Sequence, residues 1–369
     1  MRFVSIDWVK EGSYLAKTIY DNDGRVLLRE GVPLNKALIR RIKLLDIHSL
    51  YITDEYSNAD IEDIIKPELR QKAIKSIKDT FLSIHNYDFT THTSTQRINM
   101  VLKERENKFG SIADVANEII EELLSKKDVL INVVDIKSMD NYTYQHSVNV
   151  AVLSLIIGIE MKLLKTDLFA LCMGALLHDT GKMMVPKDIL FKYDKLTSDE
   201  FDRIKEHPKR GYDYLKTSYQ VSPQARMIVL QHHEWINGKG YPCVENAGRM
   251  TKLSKIVSVA DVYDALTSDR LYRRAMSPND ALEYIMAGVG TQFEYEIVEK
   301  FVKRVVPYPK GTLVKLNNGE IAVVEENIAN FPLRPKIKII KSEVPSQVNN
   351  HIELVEKLDL VINQVVYNI

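Results

Sequence analysis

Five of the nine histidines fall between His146 and His233, and their neighbours are metal-ligand types. His146 stands first. The adjacent pair His178-Asp179 follows, then His207, then the doublet His232-His233. Asp261 comes last, inside the apolar stretch Ser258-Val259-Ala260-Asp261-Val262. Neutral imidazoles and carboxylates are the usual ligands of iron, manganese and zinc. Enough are gathered here for two adjacent metals, a design that cleaves phosphate esters. One metal lowers the pKa of its bound water toward about 7, and a second roughly 4 Å away clamps the ester oxygens. Holding two metals that close takes a bridging carboxylate, and Asp179 is the natural bridge. Neighbouring residues of a helix point about 100° apart, so His178 with Asp179, and His232 with His233, can ligate together only near helix ends or around a central cluster. A bundle of helices meets that condition. A lone helical histidine is usually structural, and His48, His85, His92 and His351 are read that way. Spacing alone leaves the metal count and the reaction open.

The elements that must position these residues are mostly helices. At 369 residues the chain is too long for one ordinary core, so several domains are expected. Residues 1–55 read as a small α+β module. Ile19 to Leu28 has two short apolar runs around an Asp23-Gly24 turn, a hairpin signal, Leu34 to Leu45 has helical spacing, and His48 to Thr53 reads as a strand. Residues 56–111 are polar and charged and read as a helical connector, a candidate dimerisation segment, broken at Thr90 to Ser94. Residues 112–305 run helix after helix. Thr197-Ser198-Asp199-Glu200 is a capping box, and Ser222-Pro223 and Ser277-Pro278 each place a cap before a proline at the first helical position. Gly181 and Gly288 are read as helix stops. Residues 306–369 form a small β module, with strands at Thr312 to Leu316, Ile321 to Val324 and Lys336 to Ile340. The fold class is therefore mostly α, with an all-helical domain between a small N-terminal α+β module and a small C-terminal β module.

Composition narrows the partners. Lys plus Arg and Asp plus Glu number 50 each, so bulk positive charge for a nucleic-acid polymer is missing. A local cationic pocket for a small phosphorylated ligand remains compatible. Cys172 lies in an apolar helical run and reads as a buried free thiol, which suits a reducing cytoplasm. The longest apolar run, Val150 to Ile159, is about half of the roughly twenty residues that a membrane span needs. It reads as a core helix of a soluble, cytoplasmic protein without a membrane partner.

His178-Asp179-Thr180-Gly181-Lys182 resembles the signature of the HD superfamily of metal-dependent phosphohydrolases. His232-His233-Glu234-Trp235-Ile236-Asn237-Gly238-Lys239-Gly240-Tyr241-Pro242 resembles its HD-GYP branch, whose members hydrolyse the bacterial second messenger cyclic di-GMP. Asp140 to Ser147, His207-Pro208 with Gly211, and Ala260 to Arg270 extend the likeness, which covers about Asp140 to Arg274. The resemblance implies an HD-type helical domain. It implies one metal, iron or manganese, on His146, His178, Asp179 and Asp261, and a second on Asp179, His207, His232 and His233. Members with a third metal carry a Glu where this chain has Tyr142, so two divalent ions are expected. Phe293-Glu294-Tyr295 departs from the family's Phe-Asp-Pro, outside the metal motifs. Lys182 is placed to offset charge on the scissile phosphate. Arg270 and Arg273, three residues apart on one face, are assigned to ligand phosphates, and Gly240 and Tyr241 to the lip of the site. Asp264 and Thr267 are expected to brace the helix that carries Asp261. The implied activity is hydrolysis of cyclic di-GMP to pGpG and onward to GMP, and the N-terminal or connector region is read as a candidate homodimer contact. A non-hydrolysing cyclic di-GMP receptor, a phosphohydrolase for another nucleotide, and a di-iron oxygenase are the rivals. The Gly-Tyr-Pro loop and the arginine pair argue against the oxygenase.

Overall fold

The computed structural model describes residues 1–21, 25–45, 47, 49–55, 63–85, 95–126, 131, 142–190, 192, 194–243, 250–268, 275–328 and 331–367. Helix α4 (Tyr142–Glu160) is its axis. From His146 to Gly158 every residue of α4 is buried, as expected of a helix apolar on all sides. It packs against α5 (Lys165–Leu177), α10 (Lys252–Leu266) and α12 (Tyr295–Arg304). Helix α9 (Pro223–Gln231) lies across α5 and α10, and α8 (His207–Leu215) packs on α9. Two short helices, α6 (Lys187–Leu190) and α7 (Ser198–Lys205), lead into α8, and α11 (Pro278–Ala287) precedes α12. The capping box at Thr197 forms, with Thr197 Oγ1 accepting from Glu200 N and Glu200 Oε2 accepting from Thr197 N. Ser222 and Ser277 cap α9 and α11 as their Ser-Pro pairs predict.

The connector boundary differs from expectation. Helix α3 (Thr95–Ser125) runs straight through the position between 111 and 112, and α2 (Pro67–His85) packs on both α3 and α4. Ile74, Ile77 and Phe81 of α2 share one apolar core with Ile119 of α3 and Val150 of α4. The polar composition of this segment reflects only its outward faces. Fully burying one such Ile or Phe contributes about 1.5–3 kcal/mol, so α2 and α3 belong to the helical core. The Thr90 to Ser94 break lies outside the described residues.

The N-terminal module is a three-stranded antiparallel sheet in the order β1 (Arg2–Ser5), β5 (Ser49–Thr53), β2 (Tyr14–Leu15). A ribbon of β3 (Ile19–Tyr20) and β4 (Val26–Leu28) and helix α1 (Lys36–Leu44), capped by Asn35, complete it. The hairpin forms where predicted, although its Asp-Gly turn lies outside the described residues. The C-terminal module is a five-stranded antiparallel sheet ordered β10 (Ile362–Val365), β6 (Leu313–Leu316), β7 (Ile321–Glu326), β8 (Lys336–Lys341), β9 (His351–Glu353). Val314, Ala322, Val324, Ile337 and Ile339 bury one face. No helix among the described residues is long and apolar enough to cross a membrane.

Candidate metal centre

Helix ends deliver most of the candidate ligands. Helix α5 stops at Leu177, so His178 is its C-cap and Asp179 begins the 3-10 turn Thr180–Met184. Helix α9 stops at Gln231, which makes His232 its C-cap and turns His233 toward the same centre. His207 opens α8. His146 and Asp261 reach in from α4 and α10.

The structure brings all seven sequence-predicted metal residues together. Asp179 Oδ1 lies 3.4 Å from His207 Nε2 and 4.0 Å from His232 Nε2. Asp179 Oδ2 lies 3.4 Å from His178 Nε2 and 3.9 Å from His146 Nε2. Asp261 Oδ1 is 3.0 Å from His146 Nε2, and its Oδ2 is 3.4 Å from His233 Nδ1. Two sets of donor atoms are close enough to hold an ion each: Asp179, His207, His232 and His233, and His146, His178 and Asp179. They share Asp179.

The hydrogen bonds say what these atoms want. His178, His207 and His232 each point Nδ1 at the carbonyl three residues earlier, Ala175, Ile204 and Val229, at 2.7 to 2.8 Å. A carbonyl only accepts, so each Nδ1 carries the proton and each Nε2 is a bare lone pair. His207 Nε2 and His232 Nε2 nevertheless face each other at 3.2 Å. Two lone pairs at that distance repel unless a cation lies between or beside them. His178 Nε2 and Asp179 Oδ1 are buried without a hydrogen-bond partner, a costly state for polar atoms. The donor set fits divalent metal.

Burial, together with the neighbouring charge, pushes His207, His232 and His233 below the ordinary imidazole value, which keeps them neutral and ready to ligate. Burial alone would raise the Asp179 carboxyl, but His178 and Lys182 outweigh it and hold Asp179 well below the usual range. Asp261 is held low in the same way, burial being outweighed by the close approach of His146 and by His233. His178 goes the other way, because Asp179 outweighs the effect of burial.

The centre has one open edge. His146, His178, Asp179, His207 and His232 are all but sealed. His233 and Lys182 keep 22% and 24% of their side chains exposed, so substrate must approach past them. Lys182 Nζ donates to Asp179 Oδ2 at 2.7 Å. Tyr241 N donates to His233 O, and the Tyr241 ring lies 4.7 Å from the His233 ring. Tyr241 thus packs on a candidate ligand at the rim. Gly240 permits this turn, since a Cβ there would come within 2.4 Å of His233 O. Arg270 and Arg273 lie outside the described residues.

One sequence reading is corrected. Gly181 does not stop a helix, because α5 has already ended at Leu177. It allows a close approach: a Cβ at 181 would sit 2.0 Å from His207 O, so the missing side chain lets the Asp179 turn press against the start of α8. Gly288 does cap α11. Asp264 braces its helix as a hydrogen bonder behind a candidate ligand, as expected. Its Oδ2 accepts from His146 Nδ1 at 2.7 Å and its Oδ1 from Asn149 Nδ2 at 3.0 Å. Thr267 bonds back to Tyr263 O within the last turn of α10. Sequence reasoning missed Asn149, although it follows His146 by three residues and so shares its helix face. It also missed the Tyr142 ring, which stacks on His146 at 5.6 Å.

Residues 123–297 match the model of an HD domain, and residues 313–368 match that of a KOW domain associated with HD domain. A Pseudomonas aeruginosa protein named as a cyclic di-GMP phosphodiesterase is 36% identical over 241 residues, 64% of this chain and 58% of that protein. The chain thus carries an HD domain similar to that of a named cyclic di-GMP phosphodiesterase. A Borreliella burgdorferi protein of the same named activity is 28% identical over 200 residues, 54% of this chain and 52% of that protein. A Vibrio cholerae protein named as a 3'3'-cGAMP-specific phosphodiesterase is 36% identical over 167 residues, 44% of this chain and 37% of that protein. The chain therefore spans little more than half the length of the first two relatives. In this HD domain the clustered histidines and aspartates offer a divalent-metal site.

Proposed function

We propose that the protein hydrolyses cyclic di-GMP, using two divalent ions, iron or manganese, bridged by Asp179. The observation that carries the reading is the sharing of one buried carboxylate by two groups of imidazoles whose bare Nε2 atoms converge. His146, His178 and Asp261 would hold one ion with Asp179, and His207, His232 and His233 the other. Bound metals would supply an activated water and would withdraw charge from the phosphate oxygens. The side chains do the rest. Lys182, at the open edge, offsets negative charge as the phosphate passes through its transition state. Tyr241 and Gly240 shape the rim, and Arg270 and Arg273 grip the ligand phosphates. Five sealed ligands exclude bulk water from the centre. The departing ribose 3′ oxygen takes its proton from solvent at the open edge, giving pGpG and, after a second cut, GMP.

The test is direct. Purified protein loaded with Fe(II) or Mn(II) is given cyclic di-GMP, and products are resolved by chromatography, with 3'3'-cGAMP run in parallel because of the named activity of the Vibrio relative. Steady release of pGpG supports the reading and rejects a receptor that binds without turnover. Faster cleavage of 3'3'-cGAMP would replace the substrate, and hydrolysis of neither would end the proposal.

A further inference from the structure

Arg70 lies in the first turns of α2, well before the segment that matches the HD domain at 123–297. Its Nη1 donates to Asn149 Oδ1 at 2.6 Å. Asn149 Nδ2 donates to Asp264 Oδ1 at 3.0 Å, and Asp264 Oδ2 accepts from His146 Nδ1 at 2.7 Å. Asn149, Asp264 and His146 are all buried. The polarity of this relay is fixed at both ends, by a guanidinium that can only donate and a carboxylate that can only accept. Asn149 must therefore turn its oxygen to Arg70 and its amide NH2 to Asp264. Asp264 then accepts at both oxygens. His146 must carry its proton on Nδ1, which leaves the Nε2 lone pair facing Asp179 and Asp261. Without Arg70, Asn149 Oδ1 loses its donor, and the amide that braces the Asp264 carboxylate is no longer held from behind. The same Arg70 lines a cavity of about 150 Å³ walled by Lys17, Tyr20 and Glu30 of the N-terminal module and by Gln145, the neighbour of His146. The relay therefore begins at the junction between that module and the helical core.

We propose that Arg70 is a positioning residue for the metal held by His146, acting through Asn149 and Asp264 to hold that ligand's aim. The inference rests on the two-metal reading above. Its test uses the full chain with Arg70→Met, which keeps the stem and removes the donors, and Arg70→Lys, which restores a donor. Arg226→Met is the control for loss of a partly buried arginine, since Arg226 only ties main-chain carbonyls together at Lys216, Ser218 and Val221. The readouts are metal per chain after dialysis against graded chelator, melting of the metal-free protein, and kcat and KM at limiting and saturating Mn(II). The expected result is that Arg70→Met loses one of two metals at about tenfold lower chelator, as seen when partners behind a metal-binding histidine are removed. Its kcat recovers at saturating metal with KM unchanged, Arg70→Lys recovers most of the retention, and Arg226→Met melts lower with metal retention intact. A lower melting point for Arg70→Met with wild-type metal retention would make the residue merely structural and overturn the proposal, as would Arg70→Lys behaving no better than Arg70→Met. Should the wild type hold fewer than two metals, the two-metal reading itself fails. Two metals in the wild type and in Arg70→Met alike sink this inference alone.

Discussion

His207 and His146 meet the same carboxylate, yet they are aimed by different means. His207, like His178 and His232, leans its Nδ1 on a carbonyl three residues back in its own chain. A helix end is enough to set such a ligand, because the last carbonyls of a helix lack intrahelical partners and seek donors. His146 sits in the first turns of a helix whose carbonyls are spent on the helix itself. Its Nδ1 is held by Asp264, 118 residues away in sequence. His207 and His232 on one side of the centre are thus set by local structure, while the other side joins a locally set His178 to a His146 held by a tertiary contact. The local side should resist distant substitutions, while the tertiary side should feel them.

The severest way to break the comparison is to remove what the two sides share. Asp179→Ala takes away the bridge, and both ions should be lost together, with hydrolysis falling by about 10³-fold or more. Metal analysis beside product chromatography checks this. Retention of a full ion on either side would mean that the sides do not depend on Asp179. Asp264→Asn is the next in size and sharpens the contrast. Asparagine can present an amide to His146 where a carboxylate belongs, and affinity for one of the two metals should fall about 10- to 100-fold. The metal at His207 and His232 should titrate as in the wild type. An equal loss of both would erase the distinction.

Gly181→Ala attacks the local side. The added methyl would lie 2.0 Å from His207 O and 2.7 Å from Gly211 N, both backbone atoms. The Asp179 turn and α8 must part, at a cost of roughly 1–3 kcal/mol. Melting should drop, and the weakened metal should be the one at His207, the reverse of the Asp264→Asn pattern. Unaltered melting would show that the turn yields easily.

The same contrast explains what could be read in the sequence. Adjacent pairs such as His178-Asp179 and His232-His233 signalled helix ends because neighbours on a helix diverge, and the structure puts both pairs at helix ends. Strands β6, β7 and β8 announced themselves through apolar alternation around Asn317 to Gly319. Strands β9 and β10 did not: His351–Glu353 is only three residues, and β10 pairs with β6 through an irregular register. Connector helix α2 looked solvent-facing by composition, because an amphipathic helix reveals its buried stripe only when its partners are known. Arg70, Asn149 and Asp264 stand 79 and 115 residues apart along the relay, and no spacing rule joins them.

Acid offers the gentlest probe of the two sides. In the metal-free protein, burial lowers His207, His232 and His233, so below about pH 6.5 the unfolded chain takes up protons that the folded chain refuses. Stability is lost as pH falls through that value. His178 acts in the opposite sense, because Asp179 raises it: its contribution is complete below about pH 6.5 and is lost as pH rises through the folded value. Three lowered imidazoles against one raised should leave the metal-free protein less stable at pH 5.5 than at 7.5, and melting curves at the two values measure it. In the loaded protein, protons compete with both ions for the imidazoles, and Asp264→Asn, which weakens the support behind His146, should raise the pH of release for the ion at His146 alone. Metal per chain across a pH series measures it. A shift common to both ions would mean that the bridge couples the sides too tightly for their different supports to matter.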